Sequence, residues 1–309
     1  MRILNLPEIQ RTLVYAETID CMRQAVMAHS RGESLTPMPM HLDIAARCAE
    51  VHMKSSYRVG GPYFALKIAG TFPGNAALGR STSSGMVLLS SAETGEPVAF
   101  LADSGHLTDV RTAAVAAMAA RELKRADSTI GILGTGVQSR LQARMHAEVL
   151  PLQRIVLWGR SSERAAECRR DLESLLPSVE VSMARTPAEV ASQSLLLVTA
   201  TPSRDPLLRS EDIHPGTHIS AVGADSPHKQ ELDPQILHRA VLLLADSLRQ
   251  CEKLGELQHA PAEWSRVVEL GAFCEDPPTW ERSGITVCDF TGLGVEDLYI
   301  AEYCLRRLS

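Results

Sequence analysis

The sequence lacks every cysteine pattern that would crosslink a small fold or hold zinc. Only seven of its 309 residues are cysteine, their number is odd, and no two of them form a Cys-x-x-Cys arrangement. A disulfide framework and a cysteine-based metal site are therefore not expected, and no metal is predicted. The cysteines are instead predicted to be small buried apolar residues of a protein kept in a reducing cytoplasm.

Long apolar runs and an excess of positive charge are missing as well. The longest apolar runs, such as residues 195–200, are far too short to span a bilayer, and the N-terminal residues do not resemble a secretory signal. The formal net charge is −6, so nothing favours binding to nucleic acid or to an anionic membrane. Hydrophobic residues make up 45% of the chain, which is ample for the core of two domains or of one large domain.

The first 124 residues predict helices together with an antiparallel or mixed sheet. Residues 7–31 have the apolar spacing of one amphipathic helix, and a link rich in proline and methionine follows. Strand-like pieces separated by tight turns are then expected at 50–54, 63–69, 85–91 and 97–103. An alanine-rich helix is predicted from about residue 108 to residue 123.

From residue 128 the pattern changes to strands alternating with helices. Continuous apolar strands that alternate with helices indicate an α/β domain with a parallel, doubly wound sheet. The predicted strands are 129–133, 154–158, 179–183, 194–199, 217–222, 240–245 and 285–289.

A glycine-rich turn follows the first strand of this alternating region. The apolar run ends in Gly134-Thr135-Gly136, and a helical pattern starts at once with Val137 and Gln138. Such a turn can hold a pyrophosphate, because free backbone N–H groups and the positive end of the helix dipole point at it. Ser139 replaces the third glycine of the common pattern, and the alternative is a turn that binds nothing. Its place at the first strand of the sheet favours a dinucleotide.

The end of the second strand bears on the choice of cofactor. An NAD site usually has an acidic residue there, about 20 residues past the glycines, to hold the ribose 2′-hydroxyl. This sequence has Arg160 and Ser161, which suit a 2′-phosphate through charge-assisted hydrogen bonds. NADP(H) is therefore the preferred cofactor, and Glu163 leaves NAD(H) possible. The alternative is that Arg160 is an ordinary solvated residue.

Three further side chains are candidates for chemistry. Lys67 lies in an apolar strand, where burial is costly unless it is paired or ligand-bound; the alternative is an edge lysine facing water. Arg111 stands near a helix start with Thr108 as the predicted N-cap, and it opposes the helix dipole unless an anion is present. The alternative is a salt bridge with Asp109 or another acid. Asp225 follows an apolar strand where ligands bind in such sheets, and the alternative is a turn-forming residue.

Together these stretches make the sequence resemble the ornithine cyclodeaminase/μ-crystallin family over nearly its whole length. The motifs are Lys67 with Phe72-Pro73-Gly74-Asn75, the segment LTDVRTAA at 107–114, Gly134-Thr135-Gly136-Val137-Gln138, Gly223-Ala224-Asp225 with Lys229-Gln230-Glu231-Leu232, and Asp289-Phe290-Thr291-Gly292. Residues 50–55 and 250–257 look most like the branch found in ectoine-utilisation clusters.

The resemblance implies a fold. A Rossmann-like, doubly wound domain is expected at 125–292. An α+β domain for substrate binding and dimerisation is expected at 1–124, completed by a C-terminal helix in about 293–309. Family members usually form homodimers through the N-terminal sheet.

The resemblance also implies roles for individual residues. Lys67 and Asp225 would be catalytic, with Lys67 near the substrate amino or imine group and Asp225 as the acid or base that stabilises an iminium. Arg111 would hold the substrate carboxylate beside the cofactor, and Gly292 would contact the substrate. The positions that match cofactor-contacting residues of the family are Thr82, Val137, Gln138 and Thr291. The cofactor-binding residues already predicted from the glycine turn and the end of the second strand are Gly134, Gly136, Arg160 and Ser161.

Two positions depart from the family. Family members commonly carry an arginine shortly after the proline-rich link, as a second carboxylate ligand, where this chain offers His41 as a substitute. Lys54 adds a cation where several relatives have an apolar residue. Both changes argue against ornithine as the substrate, and an extra cation suits a substrate with a second carboxylate. The alternatives are that the arginine's role is lost and that Lys54 lies on the surface.

The predicted function is therefore hydride transfer between NAD(P)H and a small α-amino acid or its imine. A cyclodeaminase with catalytic NAD is the alternative, because Lys67 and Asp225 serve both reactions. An alternative of another class is a non-catalytic, crystallin-like protein that binds NADPH, against which the retained Lys67, Arg111 and Asp225 argue.

Overall fold

A computed structural model describes residues 1–308 of the chain, apart from the side chain of Ala76. It divides into two units, one formed by Met1–Arg111 with the chain from Leu293 onward, the other by Thr112–Gly292. This boundary follows Arg111, whereas the division expected from the sequence follows residue 124. Within the described part of the chain, no helix has the length and apolar character needed to cross a membrane.

The first unit is built on a seven-stranded sheet. Its strands are β1 Arg2–Asn5, β2 Ser34–Leu35, β3 Met40–Ile44, β4 Ala49–Arg58, β5 Tyr63–Thr71, β6 Ser83–Ser91 and β7 Pro97–Ala102. They lie in the order β1-β7-β6-β5-β4-β2, and β3 also pairs with β4. All pairs are antiparallel except β1 with β7, which confirms the predicted sheet. The short strands β1, β2 and β3 were not predicted.

The helices of the first unit are α1 Leu6–Thr12, α2 Tyr15–Ser30 and α10 Gly294–Arg307. The prediction of one helix over 7–31 was wrong, because the backbone becomes extended at Leu13 and Val14. The Tyr303 hydroxyl on α10 accepts a hydrogen bond from the Val14 N–H at 3.3 Å, so a tertiary contact replaces a bond that a continuous helix would make. Helix α10 packs against α2, β4 and β5.

The helix that begins before the boundary, α3, spans His106–Glu122. The prediction of Thr108 as its N-cap was wrong, because the helix starts two residues earlier. The buried carboxylate of Asp103 accepts a hydrogen bond from the Leu107 N–H at 2.7 Å. Ser104 and Gly105 adopt positive φ angles of 57° and 89°, which turn the chain sharply between β7 and the helix.

The second unit is a doubly wound parallel sheet of eight strands. They are β8 Thr129–Leu133, β9 Arg154–Trp158, β10 Glu180–Met183, β11 Leu196–Thr199, β12 His218–Ala221, β13 Leu242–Ala245, β14 Val267–Glu269 and β15 Thr286–Asp289. The order is β10-β9-β8-β11-β12-β15-β13-β14. Every pair in it is parallel. The seven predicted strands are confirmed, and only β14 at the edge was missed.

The remaining helices lie between these strands. They are α4 Val137–His146, α5 Ser162–Leu175, α6 Pro187–Gln193, α7 Pro234–Arg239, α8 Leu248–Cys251 and α9 Leu270–Glu275. Alternate residues of a strand point to opposite faces of the sheet. Two apolar clusters form accordingly, one containing Leu197 and Leu243 and the other Leu196 and Val198. Because both faces are buried, the strands read as continuous apolar runs.

Candidate active site

A cluster of buried cations lies on the sheet of the first unit. Lys67 on β5 and Lys54 on β4 are directly opposite each other in the antiparallel register. Lys67 is only 2% exposed, Lys54 7% and Arg111, on α3, 4%. The structure therefore rules out the alternatives that placed Lys67 and Lys54 in water. Burying three basic side chains is costly unless acids or a ligand compensate for it.

Two acids at the start of α10 provide that compensation. Asp297 lies 2.8 Å from the Lys67 Nζ and 3.2 Å from the Arg111 Nε. Glu296 accepts a hydrogen bond from Arg111 at 2.8 Å. Sequence reasoning missed both acids, because acidic residues in the first turn of a helix are ordinary and gave no signal of burial. Arg111 thus forms ion pairs with these two acids, which lie on a distant segment of the chain.

Burial and neighbouring charge shift the pKa values in this cluster. Burial lowers the pKa of Lys67 to about 7, helped by Arg111 and Lys54 and opposed by the Asp297 carboxylate. Burial by itself would raise the pKa of Asp297, but Lys67, Arg111 and Lys54 together hold it below its ordinary value. Lys67 is thus poised to gain or lose a proton near neutral pH, as a group in acid–base chemistry requires.

Two other predicted residues of this unit lie outside the cation cluster. His41 is exposed on β3, with its Nε2 2.9 Å from the Asp43 carboxylate, so it belongs to a different polar group. Thr82 is half-buried just before β6, and its carbonyl accepts a hydrogen bond from the Phe72 N–H at 2.7 Å. Their predicted contacts with substrate and cofactor remain predictions.

In the second unit, the glycine turn joins β8 to α4 as predicted. Gly134 has a φ of +133°, and a Cβ there would lie 2.5 Å from the Ala200 carbonyl oxygen, so the tight turn needs glycine. Gly136 is the N-cap of α4, and a Cβ there would meet no described atom within 4 Å. The backbone at Gly136 is therefore open to the close approach of a pyrophosphate.

The side chains around this turn fit that arrangement. Val137 is 43% exposed at the first position of α4, and Gln138 follows it, half-buried. Ser139, at the third glycine position, is buried against the turn. Arg140, which sequence reasoning missed, donates hydrogen bonds to the carbonyls of Thr135 at 2.8 Å and of Gly136 at 3.0 Å. It therefore fixes the turn by its carbonyl groups and leaves the N–H groups of the helix start to a ligand.

The end of β9 carries the residues expected to choose between NAD and NADP. Arg160 is exposed and has no hydrogen bond or ion pair with any residue described. Ser161 is the N-cap of α5, and its hydroxyl accepts a hydrogen bond from the Arg164 N–H at 3.3 Å. A Cβ on Gly159 would lie 2.2 Å from the Thr135 side chain, so this loop packs closely against the glycine turn.

Asp225 lies in the loop after β12, near the carboxyl ends of the parallel strands. Its carboxylate is 39% exposed and accepts a hydrogen bond from Lys229 Nζ at 2.7 Å. Buried Glu231 anchors this loop by accepting hydrogen bonds from the Thr201 N–H at 2.7 Å and the Gly223 N–H at 3.0 Å. Burial raises the pKa of Glu231 to about 7, against the lowering effect of its hydrogen-bond donors.

Thr291 and Gly292 follow β15 and are fixed by a buried acid. The Asp246 carboxylate accepts hydrogen bonds from the Thr291 N–H at 2.7 Å, the Thr291 hydroxyl at 2.9 Å and the Gly292 N–H. The side-chain amide of Gln250 also donates hydrogen bonds to the Thr291 hydroxyl at 2.9 Å and to the Gly292 carbonyl at 3.0 Å. The role of Asp246 was not predicted from the sequence, because this residue follows an apolar run and is far along the chain from Thr291 and Gly292.

Comparison with known proteins decides which family this arrangement belongs to. The sequence profile of the ornithine cyclodeaminase/mu-crystallin family matches residues 2–309. The chain belongs to this family. The resemblance found in the sequence is thereby confirmed.

Several relatives have sequences similar to this chain over most of their length. A Rhizobium meliloti (strain 1021) protein named as a dehydrogenase is 36% identical, over 100% of this chain and 96% of that protein. The alanine dehydrogenase of Archaeoglobus fulgidus is 30% identical, over 97% of this chain and 92% of that protein. The iminosuccinate reductase of Paracoccus denitrificans is 31% identical, over 81% of this chain and 78% of that protein.

Solved structures of family members have the same fold. An archaeal alanine dehydrogenase dimer with bound NAD superposes with a TM-score of 0.89 at 26% identity, covering 99% of this chain and 95% of that one. A lysine cyclodeaminase superposes with a TM-score of 0.89 at 29% identity, covering 99% and 92%. The predicted combination of a Rossmann-like sheet with a second, antiparallel sheet is confirmed.

Proposed function

We propose that this protein is an NAD(P)H-dependent oxidoreductase that interconverts a small α-amino acid and its imine. The observation that carries the proposal is the buried cluster of Lys67, Arg111 and Asp297, in which a lysine has a pKa of about 7. The relatives named as an alanine dehydrogenase and an iminosuccinate reductase support this class of reaction. The predicted enzyme class is confirmed at that level.

The charges of the cluster suit an anionic substrate. Lys54, Lys67 and Arg111 lie buried together with the acids Glu296 and Asp297. A substrate carboxylate would receive charge-assisted hydrogen bonds from Lys67 and Arg111. Lys54, directly opposite Lys67, is suited to a second anionic group on the substrate.

The second unit supplies the other requirements of the reaction. The open turn at Gly136 and the N-terminus of α4, with Val137 and Gln138, would hold the pyrophosphate of the cofactor. Bound NAD(P)H would supply the hydride. Asp225 would stabilise the iminium by its negative charge and take part in the proton transfer. Thr291 and Gly292 would contact cofactor and substrate from the position that Asp246 fixes.

A substrate panel tests the function. The purified protein is mixed with alanine, proline, pipecolate, ornithine and lysine plus NAD⁺ or NADP⁺, and with the corresponding imines plus NADH or NADPH. Net consumption of reduced cofactor with an imine is the expected result. Ammonia release from ornithine or lysine without net cofactor turnover would establish a cyclodeaminase instead. Cofactor binding without turnover of any compound would establish a crystallin-like binding protein.

The pKa of Lys67 leads to a predicted pH dependence. Lys67 is positively charged below about pH 7 and neutral above it, so its attraction for a substrate carboxylate weakens as the pH rises. We expect kcat/KM for the imine to fall by about tenfold per pH unit above this pKa. Lys67→Arg, which stays charged, should remove the inflection, and the exposed control Lys253→Arg should keep it. An unchanged profile in Lys67→Arg would exclude Lys67 as its source.

We also propose that NADP(H) is preferred over NAD(H). Support comes from Arg160, which is exposed at the end of β9 where an NAD site usually has an acid. Arg160→Ala should weaken NADPH binding about tenfold and leave NADH binding unchanged, because only the 2′-phosphate would use the arginine. Fluorescence titration measures both affinities, with Arg170→Ala, on the exposed side of α5, as control. Tighter binding of NADH than of NADPH to the native protein would refute the preference.

We further propose a homodimer in the cytoplasm. Phe64, Leu66 and Met86 are each 36–37% exposed on the face of the first sheet opposite to Lys67. An apolar face of this kind often marks a protein interface, and the archaeal alanine dehydrogenase structure is described as a dimer. Sedimentation equilibrium would measure the mass in solution.

The proposal of a cytoplasmic location is supported by the cysteines. The described cysteines are all free and six of them are buried, as is common in a reducing compartment.

A further inference from the structure

The pairing of β3 with β4 brings two histidines and two acids together on one face of the first sheet. His41 pairs with His52, and Asp43 pairs with Glu50, in the antiparallel register. Residues two apart on a strand point to the same face, so the four side chains form one patch. A single-segment spacing motif does not reveal this patch, because its residues come from two different strands.

The hydrogen bonding of this patch fixes the state of one imidazole. The His41 Nε2 lies 2.9 Å from the Asp43 Oδ1, and an ionised carboxylate only accepts hydrogen bonds, so Nε2 carries the proton. In that tautomer the Nδ1 of His41 presents a lone pair. It faces the Nδ1 of His52 at 3.5 Å, with the two rings edge to face at a centroid distance of 4.5 Å.

The distance of 3.5 Å between the two Nδ1 atoms is close to that between the ligands of a metal site. In a tetrahedral zinc site the Zn–N bond is about 2.0–2.1 Å, which places two ligand nitrogens about 3.3 Å apart. One ligand atom each from His41, His52 and Glu50 lies within 4.8 Å of the other two. The hydrogen bond from His41 to Asp43 is the carboxylate support that orients metal-bound histidines in proteins.

His52 adds an independent observation. Its Nε2 is buried and finds no hydrogen-bond partner in the described protein, and it lies 3.8 Å from the Glu50 carboxylate. A buried polar nitrogen of this kind normally has a partner. One nitrogen of the His52 ring therefore faces His41, and the other, which has no hydrogen-bond partner among the described residues, faces Glu50.

From this geometry we propose that His41, His52 and Glu50 bind one Zn²⁺ ion per chain, with Asp43 orienting His41. Two imidazoles and one carboxylate leave one tetrahedral position for water or for an anion. His52 lies two residues before Lys54 on β4 and on the same face of the sheet, so the ion would add positive charge beside the cation cluster. The proposal of a zinc site does not rest on the proposed oxidoreductase activity.

Zinc binding to the full-length chain, freed of any histidine tag, tests the proposal. Isothermal titration with ZnCl₂ is expected to show one saturable site per chain. His52→Ala and Glu50→Gln should each weaken it at least tenfold, and Asp43→Asn, which keeps all three ligands, about tenfold. His214→Ala, which removes an exposed histidine elsewhere, is the matched control and should bind as the native protein does.

Cobalt substitution checks the geometry, since tetrahedral Co²⁺ with nitrogen and oxygen ligands absorbs strongly in the visible range. That band should appear with the native chain and be absent from His52→Ala. Far-UV circular dichroism establishes that each variant is folded, and Glu50→Gln keeps the strand intact if His52→Ala does not. The absence of a saturable site would overturn the proposal, as would unchanged zinc affinity in folded Glu50→Gln, or equal weakening in His214→Ala.

Discussion

Asp225→Asn is expected to lower kcat for imine reduction by about 10²- to 10⁴-fold, the range that general acid–base groups contribute. The amide keeps the size of the side chain and can still accept a hydrogen bond from Lys229, which lies 2.7 Å from the carboxylate. It carries no negative charge to stabilise an iminium and cannot take up a proton at neutral pH. Affinity for NAD(P)H should stay within about twofold, because the glycine turn is untouched.

The assay follows cofactor absorbance with the imine found in the substrate panel, and fluorescence titration measures cofactor affinity. Asp205→Asn is the matched control, since Asp205 is an exposed acid in another loop of the same unit. It should leave kcat unchanged. If Asp225→Asn retained more than a tenth of the native kcat, Asp225 would not be the acid–base group.

Asp297→Ala is expected to lower the free energy of unfolding by about 3–5 kcal/mol, the cost of breaking a buried ion pair from one side. Asp297 is 2% exposed and lies within 3.2 Å of both Lys67 and Arg111. Its removal leaves Lys67 buried without that counter-charge, which should also lower the pKa of Lys67 below 7. Asp297 is present as a carboxylate at neutral pH. The stability that its charge contributes is complete above the ordinary pKa of an aspartate and is lost as the pH falls from there through the lowered pKa of Asp297.

Urea unfolding followed by far-UV circular dichroism measures this change. The control Glu93→Ala removes an exposed acid from the turn between β6 and β7 and should change the free energy by less than about 0.5 kcal/mol. The double variant Lys67→Met with Asp297→Leu should be more stable than Asp297→Ala, because it removes both charges of the Lys67–Asp297 pair. Equal effects of Asp297→Ala and Glu93→Ala would mean that the ion pair contributes nothing.

Most of the fold could be predicted because it depends on local patterns. Each parallel strand of the second sheet is a short apolar run between helices, and burial on both faces makes such runs visible in a single sequence. The glycine turn was equally predictable, because the end of the strand, the turn and the helix start are formed by consecutive residues up to Gln138. The break between α1 and α2 was not, since it depends on a hydrogen bond from Val14 to Tyr303, near the other end of the chain.

Only some residues of the candidate site could be predicted from the sequence. Lys67, Arg111 and Asp225 stood out because each conflicts with its local surroundings or matches a family motif. Their partners did not, since Glu296 and Asp297 look like ordinary acids at a helix start until the fold buries them beside Lys67 and Arg111. Asp246 and Arg140 escaped notice for the same reason, because each acts on the backbone of another segment.

The sequence by itself therefore determined the class of fold, the place of the glycine turn and the family of this protein. These follow from short-range periodicity and contiguous motifs. Tertiary structure alone decided that Lys54 and Lys67 are buried opposite each other, that Asp297 lowers the cost of burying them, and that His41 meets His52. Such facts depend on strand register and on contacts between distant segments, and both arise only when the chain has packed.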